Sequence, residues 1–272
     1  SAKVLMENPE LIYQVHYDYF AAGANVAITA SYQATPLGFA ARGLDSGQAS
    51  ALIRQSVTLA QRARDDYRAA SGSEAPLLVA GSVGPYGAYL ANGAEYRGDY
   101  ALPAAEMKDF HRPRVAALLE AGVDLLACET LPSFGEIQAL ISLLAEFPHS
   151  SAWFSFTLRD AQHLSDGTPL SKVAEVLNAA PQVVAVGLNC VALESVTPAL
   201  QTLQTLTDKP LLVYPNSGEQ YDAVSKSWHS APSGCTLHDK FPEWQQAGAR
   251  LIGGCCRTTP QDIAAIAACC QP

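Results

Sequence analysis

Short apolar runs alternate with longer amphipathic stretches along the whole chain. Three of the apolar runs follow the same joint, in which an Ala-Gly pair is followed by one apolar and one polar residue. These joints begin at Ala22, Ala121 and Ala247. Glycine suits the left-handed end of a helix, and an apolar run directly after it is typical of a strand buried on both faces. The repeated joint therefore predicts a series of helix-to-strand units.

The remaining pattern completes the set of elements. Four further apolar runs, at 77–82, 152–157, 183–189 and 211–214, bring the predicted strands to seven. Helical periodicity predicts helices over 9–22, 46–70, 103–121, 134–146, 170–180, 191–206 and 260–270. The region 216–248 is less regular and predicts a long loop with a short helix near 241–247.

Parallel strands that alternate with helices predict an α/β fold, and we expect a TIM (β/α)8 barrel over residues 1–272 as a single domain. Such a barrel begins with a strand, whereas this chain begins with a helix. We therefore expect the barrel to lack its first β-strand here. The alternative is an open doubly wound sheet, which the missing Gly-rich nucleotide turn disfavours.

Cysteines follow two of the predicted strands. Cys190 ends the apolar run at 183–189, and Cys255 and Cys256 come after the pair Gly253-Gly254. Neighbouring strand residues point to opposite faces, so both thiols can serve one centre only if the glycines let the backbone bend. Zinc favours thiolates, and catalytic zinc usually has three protein ligands and one open position. The pattern predicts such a Zn2+ site; the alternative is that each cysteine is a small buried hydrophobe.

Other strand ends carry candidate substrate contacts. Glu129 is the acidic residue placed directly at a strand end, where its carboxylate suits a substrate ammonium group; an ion pair with a neighbouring Arg or Lys is the alternative. Tyr32 and Tyr86 are candidates for contact with a substrate cation, or are wall residues. Asn189 and Asn216 are candidates for hydrogen bonds to substrate.

Composition and charge narrow the class of protein. Of 272 residues, 49% are hydrophobic and 16% charged, which excludes a disordered chain. The net charge of −9 argues against nucleic acid or an anionic membrane surface as a partner. No apolar run approaches the roughly 20 residues that span a bilayer. Seven cysteines without a C-x-x-C pair predict reduced thiols and a cytoplasmic protein.

Two cysteine segments also carry a family resemblance. Gly187-Leu188-Asn189-Cys190 and Gly253-Gly254-Cys255-Cys256-Arg257-Thr258-Thr259-Pro260 resemble the two zinc signatures of the homocysteine S-methyltransferases. The similarity covers nearly the whole chain and includes segments 29–34, 80–87, 128–130, 163–167 and 214–219. It is greatest for the bacterial and plant branch that uses S-methylmethionine.

The resemblance implies a (β/α)8 barrel, homocysteine as methyl acceptor, and zinc held by the catalytic residues Cys190, Cys255 and Cys256. It implies that Glu129 holds the amino group of homocysteine. The further substrate contacts that we expect are Asn189, Tyr32, Gln33, Ser82 and Asn216. Family members begin with a first strand that ends in an Asp-Gly-(Gly/Ala)-Met-Ala-Thr-Glu-like turn, which this sequence does not contain.

The expected reaction is zinc-dependent methyl transfer from a sulfonium donor, S-methylmethionine or also S-adenosylmethionine, to homocysteine, giving methionine. Betaine or another methyl donor is one alternative. A zinc-dependent barrel lyase or hydrolase is another, although such sites usually use His and carboxylate ligands. A structural zinc site is the third, and it requires a fourth protein ligand such as Cys128 or His163.

Overall fold

All seven predicted strands are present in the computed structural model, which describes residues 2–222, 227–229 and 234–270. The described strands are β1 (Val26–Ile28), β2 (Leu78–Val83), β3 (Leu125–Leu131), β4 (Ala152–Phe156), β5 (Leu158–Asp160), β6 (His163–Leu164), β7 (Val183–Asn189), β8 (Leu211–Tyr214), β9 (Gln220–Asp222), β10 (Ser227–His229) and β11 (Ala249–Ile252). Seven of them form one parallel sheet in the order β1-β2-β3-β4-β7-β8-β11. β5 pairs with β6, and β9 with β10, in small antiparallel hairpins.

The predicted helices are also present, with ends that shift by a few residues. The described helices are α1 (Ala2–Glu7), α2 (Pro9–Ala21), α3 (Pro36–Ala40), α4 (Ser46–Ser71), α5 (Tyr86–Leu90), α6 (Ala104–Glu120), α7 (Phe134–Leu144), α8 (Leu170–Asn178), α9 (Leu193–Gln204), α10 (Leu237–Gln246) and α11 (Pro260–Ala268), with a 3-10 turn at Ala94–Tyr96. Within the described ranges, every helix is too short or too polar to cross a bilayer.

The irregular region was predicted less well. The helix expected near 241–247 begins earlier, at Leu237, because Thr236 and Asp239 form a capping box that fixes its first turn. Part of the predicted long loop, at 223–226 and 230–233, lies outside the described residues. The short helices α1, α3 and α5 have too few turns to show a periodic pattern, and the sequence did not predict them.

The main sheet is strongly curled. The hydroxyl of Tyr214 at the end of β8 donates to Glu129 Oε2 on β3 at 3.0 Å, although β4 and β7 lie between these strands. The strands run through the sheet in chain order without the reversal of a doubly wound fold, so that alternative does not apply. The observed architecture is an α/β half-barrel of seven strands rather than a closed eight-stranded barrel.

The two edges of the sheet are β1 and β11, which do not pair with each other in the described part of the chain. Helices cover this gap: the hydroxyl of Tyr19 on α2 donates to the carbonyl of Thr258 at 2.8 Å, just before α11. A Cβ on Gly23, after α2, would lie 2.9 Å from that of Ala267 on α11. Close helix packing therefore holds the sheet edges near one another.

The core is divided between the two faces of the sheet. The large apolar cluster, which includes Leu126, Phe154 and Val186, lies between the strands and the surrounding helices. Alternate strand residues form a smaller cluster on the concave face, rich in alanine, with Trp153 and Tyr214 as its large members. Because small side chains fill much of the concave face, the polar groups at the strand ends can converge.

Candidate metal and substrate site

Three cysteines meet at the carboxyl ends of β7 and β11. Cys190 directly follows β7, and Cys255 and Cys256 follow β11 after two glycines. Their Sγ atoms all lie within 4.8 Å of one another, and we call this group the thiol cluster. No other set of three His, Cys, Asp or Glu side chains in the described ranges is close enough to share a metal ion. The structure thus brings together the residues that the sequence predicted as zinc ligands.

Two sulfur atoms of the thiol cluster are in direct contact. Cys190 and Cys255 form a disulfide with Cα atoms 5.6 Å apart, whereas Cys256 is a thiol. Residues separated by 65 positions in the chain are thus side by side in the fold, and the prediction of reduced thiols stays a prediction. A metal ion requires the reduced state, since thiolates and not disulfide sulfurs are its ligands.

The reduced cluster suits a zinc ion. Among the described residues no fourth His, Cys, Asp or Glu joins these three sulfurs, and three sulfur ligands are the donor set of a soft-metal site with an open position. Burial raises the pKa of the Cys256 thiol, so a nearby cation is needed to hold it as a thiolate near neutral pH. Cys128 does not join the cluster; it is fully buried between sheet and helices.

Backbone hydrogen bonds hold the strand-end loops around the cluster. The amide of Cys255 donates to Pro215 O at 2.7 Å, and the amide of Cys256 donates to Asn216 Oδ1 at 3.2 Å. The amide of Cys190 donates to Tyr214 O at 3.2 Å. Asn216, predicted as a substrate contact, therefore also positions Cys256.

The two glycines before the cysteine pair are not equivalent. A Cβ on Gly254 would overlap the side chain of Thr258, whose hydroxyl donates to Cys255 O at 2.8 Å. A Cβ on Gly253 would lie 3.6 Å from its nearest neighbour, an ordinary contact. Of the two positions, only 254 requires glycine, because the side chain of Thr258 packs directly against it.

Glu129 is a buried carboxylate with polar partners of its own. The hydroxyl of Ser82 donates to Oε1, and that of Tyr214 donates to Oε2 at 3.0 Å. Burial raises the pKa of Glu129, and the two hydrogen bonds act in the opposite direction. Among the described residues Glu129 forms no ion pair with Lys or Arg, which removes the alternative weighed from the sequence. The buried Arg114 also lowers the pKa of Glu129 without pairing with it, and a ligand ammonium group would supply a direct partner.

Asn189 supports the turn that carries Glu129. Its Oδ1 accepts from the amide of Thr130 and from the hydroxyl of Ser155, both at 2.8 Å. Its Nδ2 donates to Thr130 Oγ1 at 2.7 Å, and Thr130 has a left-handed φ of 62°. These bonds stabilise a backbone conformation that non-glycine residues rarely adopt. A direct contact of Asn189 with substrate stays a prediction.

The remaining predicted residues lie further from the cluster. Tyr32 is mostly buried with its hydroxyl bonded to Thr130, and burial raises its pKa. Gln33 is exposed, and its amide donates to Ala88 O at 3.1 Å. Tyr86 packs among Tyr89, Tyr100 and Phe110 and is a wall residue.

The structure adds one aromatic residue that sequence reasoning missed. Tyr96 lies in the 3-10 turn after α5 and is 48% exposed. Partial burial and the neighbouring Cys256 raise its pKa to about 12. Tyr96 and Cys190 line a cleft of about 270 Å³ together with Arg159 and Asp160 of the β5–β6 hairpin. The sequence signal was its place in a loop after a barrel strand, where functional residues concentrate.

Comparison with known proteins places these features in a family. A model of the family "Homocysteine S-methyltransferase" matches residues 1–270. The chain is 66% identical to the homocysteine S-methyltransferase of Escherichia coli K12 over 98% of this chain and 87% of that protein. It is 51% identical to homocysteine S-methyltransferase YbgG of Bacillus subtilis, over 98% and 86%, and 44% identical to a selenocysteine methyltransferase of Astragalus bisulcatus, over 98% and 84%.

Solved structures show the same fold. The metallated and the oxidized crystal forms of E. coli MmuM, a homocysteine methyltransferase, each superpose with a TM-score of 0.90 at 62% identity. Both matches cover 98% of this chain and 87% of the solved one. The apo form of MmuM superposes with a TM-score of 0.81. This fold is thus known in both a metal-bound and an oxidized form.

Proposed function

Because this chain belongs to the homocysteine S-methyltransferase family, and is therefore a methyltransferase, we propose that it transfers a methyl group from S-methylmethionine to homocysteine at a zinc site. The observation that carries the proposal is the convergence of three sulfur ligands next to Tyr214, whose hydroxyl binds the buried carboxylate of Glu129. The greatest resemblance, to the branch that uses S-methylmethionine, supports the choice of donor.

Zinc would be held by Cys190, Cys255 and Cys256 in their reduced state. When bound, a zinc ion lowers the pKa of a coordinated thiol and so favours the nucleophilic thiolate of homocysteine at neutral pH. We also propose a cytoplasmic location, where the reducing environment keeps Cys190 and Cys255 from pairing.

The protein's own residues place homocysteine. Glu129, aligned by Ser82 and Tyr214, receives the ammonium group in a buried position where the ion pair is little screened. Cys190 lies next in the chain to Asn189, whose side chain holds the Glu129 turn. Glu129 and the thiol cluster are thus fixed relative to each other, which fixes the acceptor sulfur for attack.

Methyl transfer itself requires no acid or base. The acceptor sulfur forms a bond to the methyl carbon while the carbon–sulfur bond of the sulfonium breaks. The bonding electrons stay with the donor sulfur, which leaves as neutral methionine. The protein contributes by aligning the two sulfurs and by excluding water from between them.

We further propose that residues 1–272 form a single domain, the seven-stranded part of a (β/α)8 barrel in which an eighth strand would pair between β1 and β11. The sequential strand order and the α2–α11 contact across that gap support this proposal. The eighth strand would complete the wall beside Cys255 and Cys256, because both follow the edge strand β11.

The test is a methyl-transfer assay on reduced, zinc-loaded protein with homocysteine and S-methylmethionine. We expect methionine to form, and Cys256→Ser to abolish both stoichiometric zinc and turnover. Cys269→Ser, at the exposed end of α11, is the control and should retain both. A Cys256→Ser protein that keeps zinc and full turnover would overturn the assignment.

A further inference from the structure

We propose that the cleft between Tyr96 and Cys190 is the methyl-donor subsite, with Tyr96 facing the sulfonium and Arg159 binding the donor's α-carboxylate. This inference rests on the proposed function and extends it to donor recognition. We call this space the donor cleft; its wall comprises Tyr96, Thr157, Leu158, Arg159, Asp160, Cys190, Val191, Ala192 and Ser195.

The position of the donor cleft suits a methyl donor. It reaches the thiol cluster through Cys190, so a ligand in it lies beside the expected place of the acceptor sulfur. Glu129 is not part of its wall and remains available to hold the acceptor's ammonium group. Donor and acceptor can therefore bind in two neighbouring spaces, both of them next to the thiol cluster.

Tyr96 is the aromatic group that a cation in the donor cleft would meet. It is half-exposed, whereas Tyr32 is mostly buried and Tyr86 is enclosed by other rings. An aromatic face attracts a cation within about 6 Å of its centroid. A sulfonium is such a cation, and its transferable methyl groups carry much of the positive charge.

A negative charge beside Tyr96 strengthens this preference. Glu95 Oε2 is buried and has no hydrogen-bond partner within the described residues. Glu95 directly precedes Tyr96 in the same 3-10 turn. The backbone carbonyl of Glu95 accepts from Thr157 Oγ1 at 2.9 Å, which ties this turn to the wall of the donor cleft. A buried carboxylate without a partner favours a cation nearby.

Arg159 is the charged group in the donor cleft with capacity left for a ligand. Its one hydrogen bond within the described residues is a 3.5 Å contact from Nη2 to Ser165 O, and it forms no ion pair there. Its neighbour Asp160 differs, because its Oδ1 accepts from the amide of Gln162 at 2.8 Å and is bonded to His163 Nδ1 at 2.8 Å. A guanidinium with free donors matches the two oxygens of a carboxylate.

The donor cleft has a volume of about 270 Å³. This space accommodates a donor of amino-acid size, such as S-methylmethionine.

The test compares two donors in the reduced, zinc-loaded protein: S-methylmethionine and trimethylsulfonium, which has the cation but no carboxylate. We expect Arg159→Met to raise KM for S-methylmethionine by about 10- to 100-fold, because a charge-assisted hydrogen bond is lost. KM for trimethylsulfonium should stay unchanged. We expect Tyr96→Leu to raise KM for both donors by about 3- to 30-fold. Neither change should alter the zinc content or KM for homocysteine.

Arg97→Met is the matched control, because Arg97 is exposed, pairs with Asp99 and lies outside the donor cleft. Calorimetric titration of S-methylmethionine without homocysteine measures donor binding free of turnover, and Arg159→Met should weaken it by the same factor. If the parent protein is active and both Arg159→Met and Tyr96→Leu leave KM and donor binding unchanged, the assignment of the donor cleft is wrong, while the proposed function stands. A parent protein that transfers no methyl group from S-methylmethionine would instead overturn the proposed function.

Discussion

Two residues at the site have backbone conformations that their residue types rarely adopt. Thr130 and Cys190 have left-handed φ angles of 62° and 51°, and each follows a residue that shapes the site, Glu129 or Asn189. Hydrogen bonds from their amides to Asn189 Oδ1 and Tyr214 O offset this cost. Strain of this kind persists where neighbouring structure holds it, and it is common at functional sites.

The glycine pair before the cysteines provides a prediction at the same scale. We expect Gly254→Ala to displace Thr258 and the cysteine loop, with a loss of stability of about 1–3 kcal/mol and weaker zinc binding. Gly253→Ala, whose added methyl meets only ordinary contacts, is the control. Zinc titration of the two reduced proteins checks this, and equal zinc affinity in both would contradict it.

At the scale of elements, helix α6 holds two loops of the site in place through a buried arginine. Arg114 is fully buried; its Nη1 donates to Tyr32 O at 2.7 Å and its Nη2 to Gly84 O at 2.5 Å. Its Nη2 also donates to His111 Nδ1 at 2.9 Å, so that His111 Nε2–H donates to Glu136 at 2.7 Å. One side chain thus joins the loops after β1 and β2 to helices α6 and α7.

Removing that side chain should loosen both loops. We expect Arg114→Met to cost about 3–5 kcal/mol, because it leaves the buried carbonyls of Tyr32 and Gly84 without their donor and removes a buried positive charge that interacts with Glu136. Arg112 lies on the same helix as Arg114 and forms a surface ion pair with Glu146. Arg112→Met should therefore change stability little. Denaturant unfolding of both variants measures the difference. Coincident unfolding midpoints would show that the buried network is not needed.

At the scale of the whole molecule, α2 covers the gap between the sheet edges, and it carries a buried histidine. His16 lies on the same face of α2 as Ile12 and Phe20, and its Nε2 has no hydrogen-bond partner in the described structure. Burial lowers the pKa of His16 to about 4 from its usual 6.5. The folded protein therefore takes up a proton there much less readily than the unfolded chain.

This difference makes stability depend on pH. Between pH 6.5 and 4 the unfolded chain binds a proton at His16 that the folded protein does not, so stability falls as the pH falls through this window. The full loss is about 3 kcal/mol below pH 4. We expect His16→Leu to remove this part of the pH dependence, and exposed His149→Gln to leave it unchanged. Unfolding curves between pH 4 and 7 measure it, and parallel profiles for His16→Leu and the parent would contradict it.

The sequence by itself predicted the seven strands of the main sheet, the longer helices and the three cysteines that meet. Apolar runs, Ala-Gly joints and helical periodicity are local patterns, so they predicted seven strands and their helices. The cysteine motifs predicted which thiols meet, because parallel strands bring their carboxyl ends to one edge. The helix at Leu237–Gln246 was placed too late because its cap, at Thr236, was not recognised.

The tertiary structure alone decided what surrounds these residues. It brought Cys190 beside Cys255, and it showed the hydrogen bonds to Glu129, the buried position of Arg114 and the cleft at Tyr96 that we propose for the donor. Each joins residues that are distant in the chain, and whether a side chain is exposed, paired or left with free donors depends on neighbours that only the curled sheet brings together. Local patterns could therefore identify the thiols of the site, but not the groups that we propose to recognise its substrates.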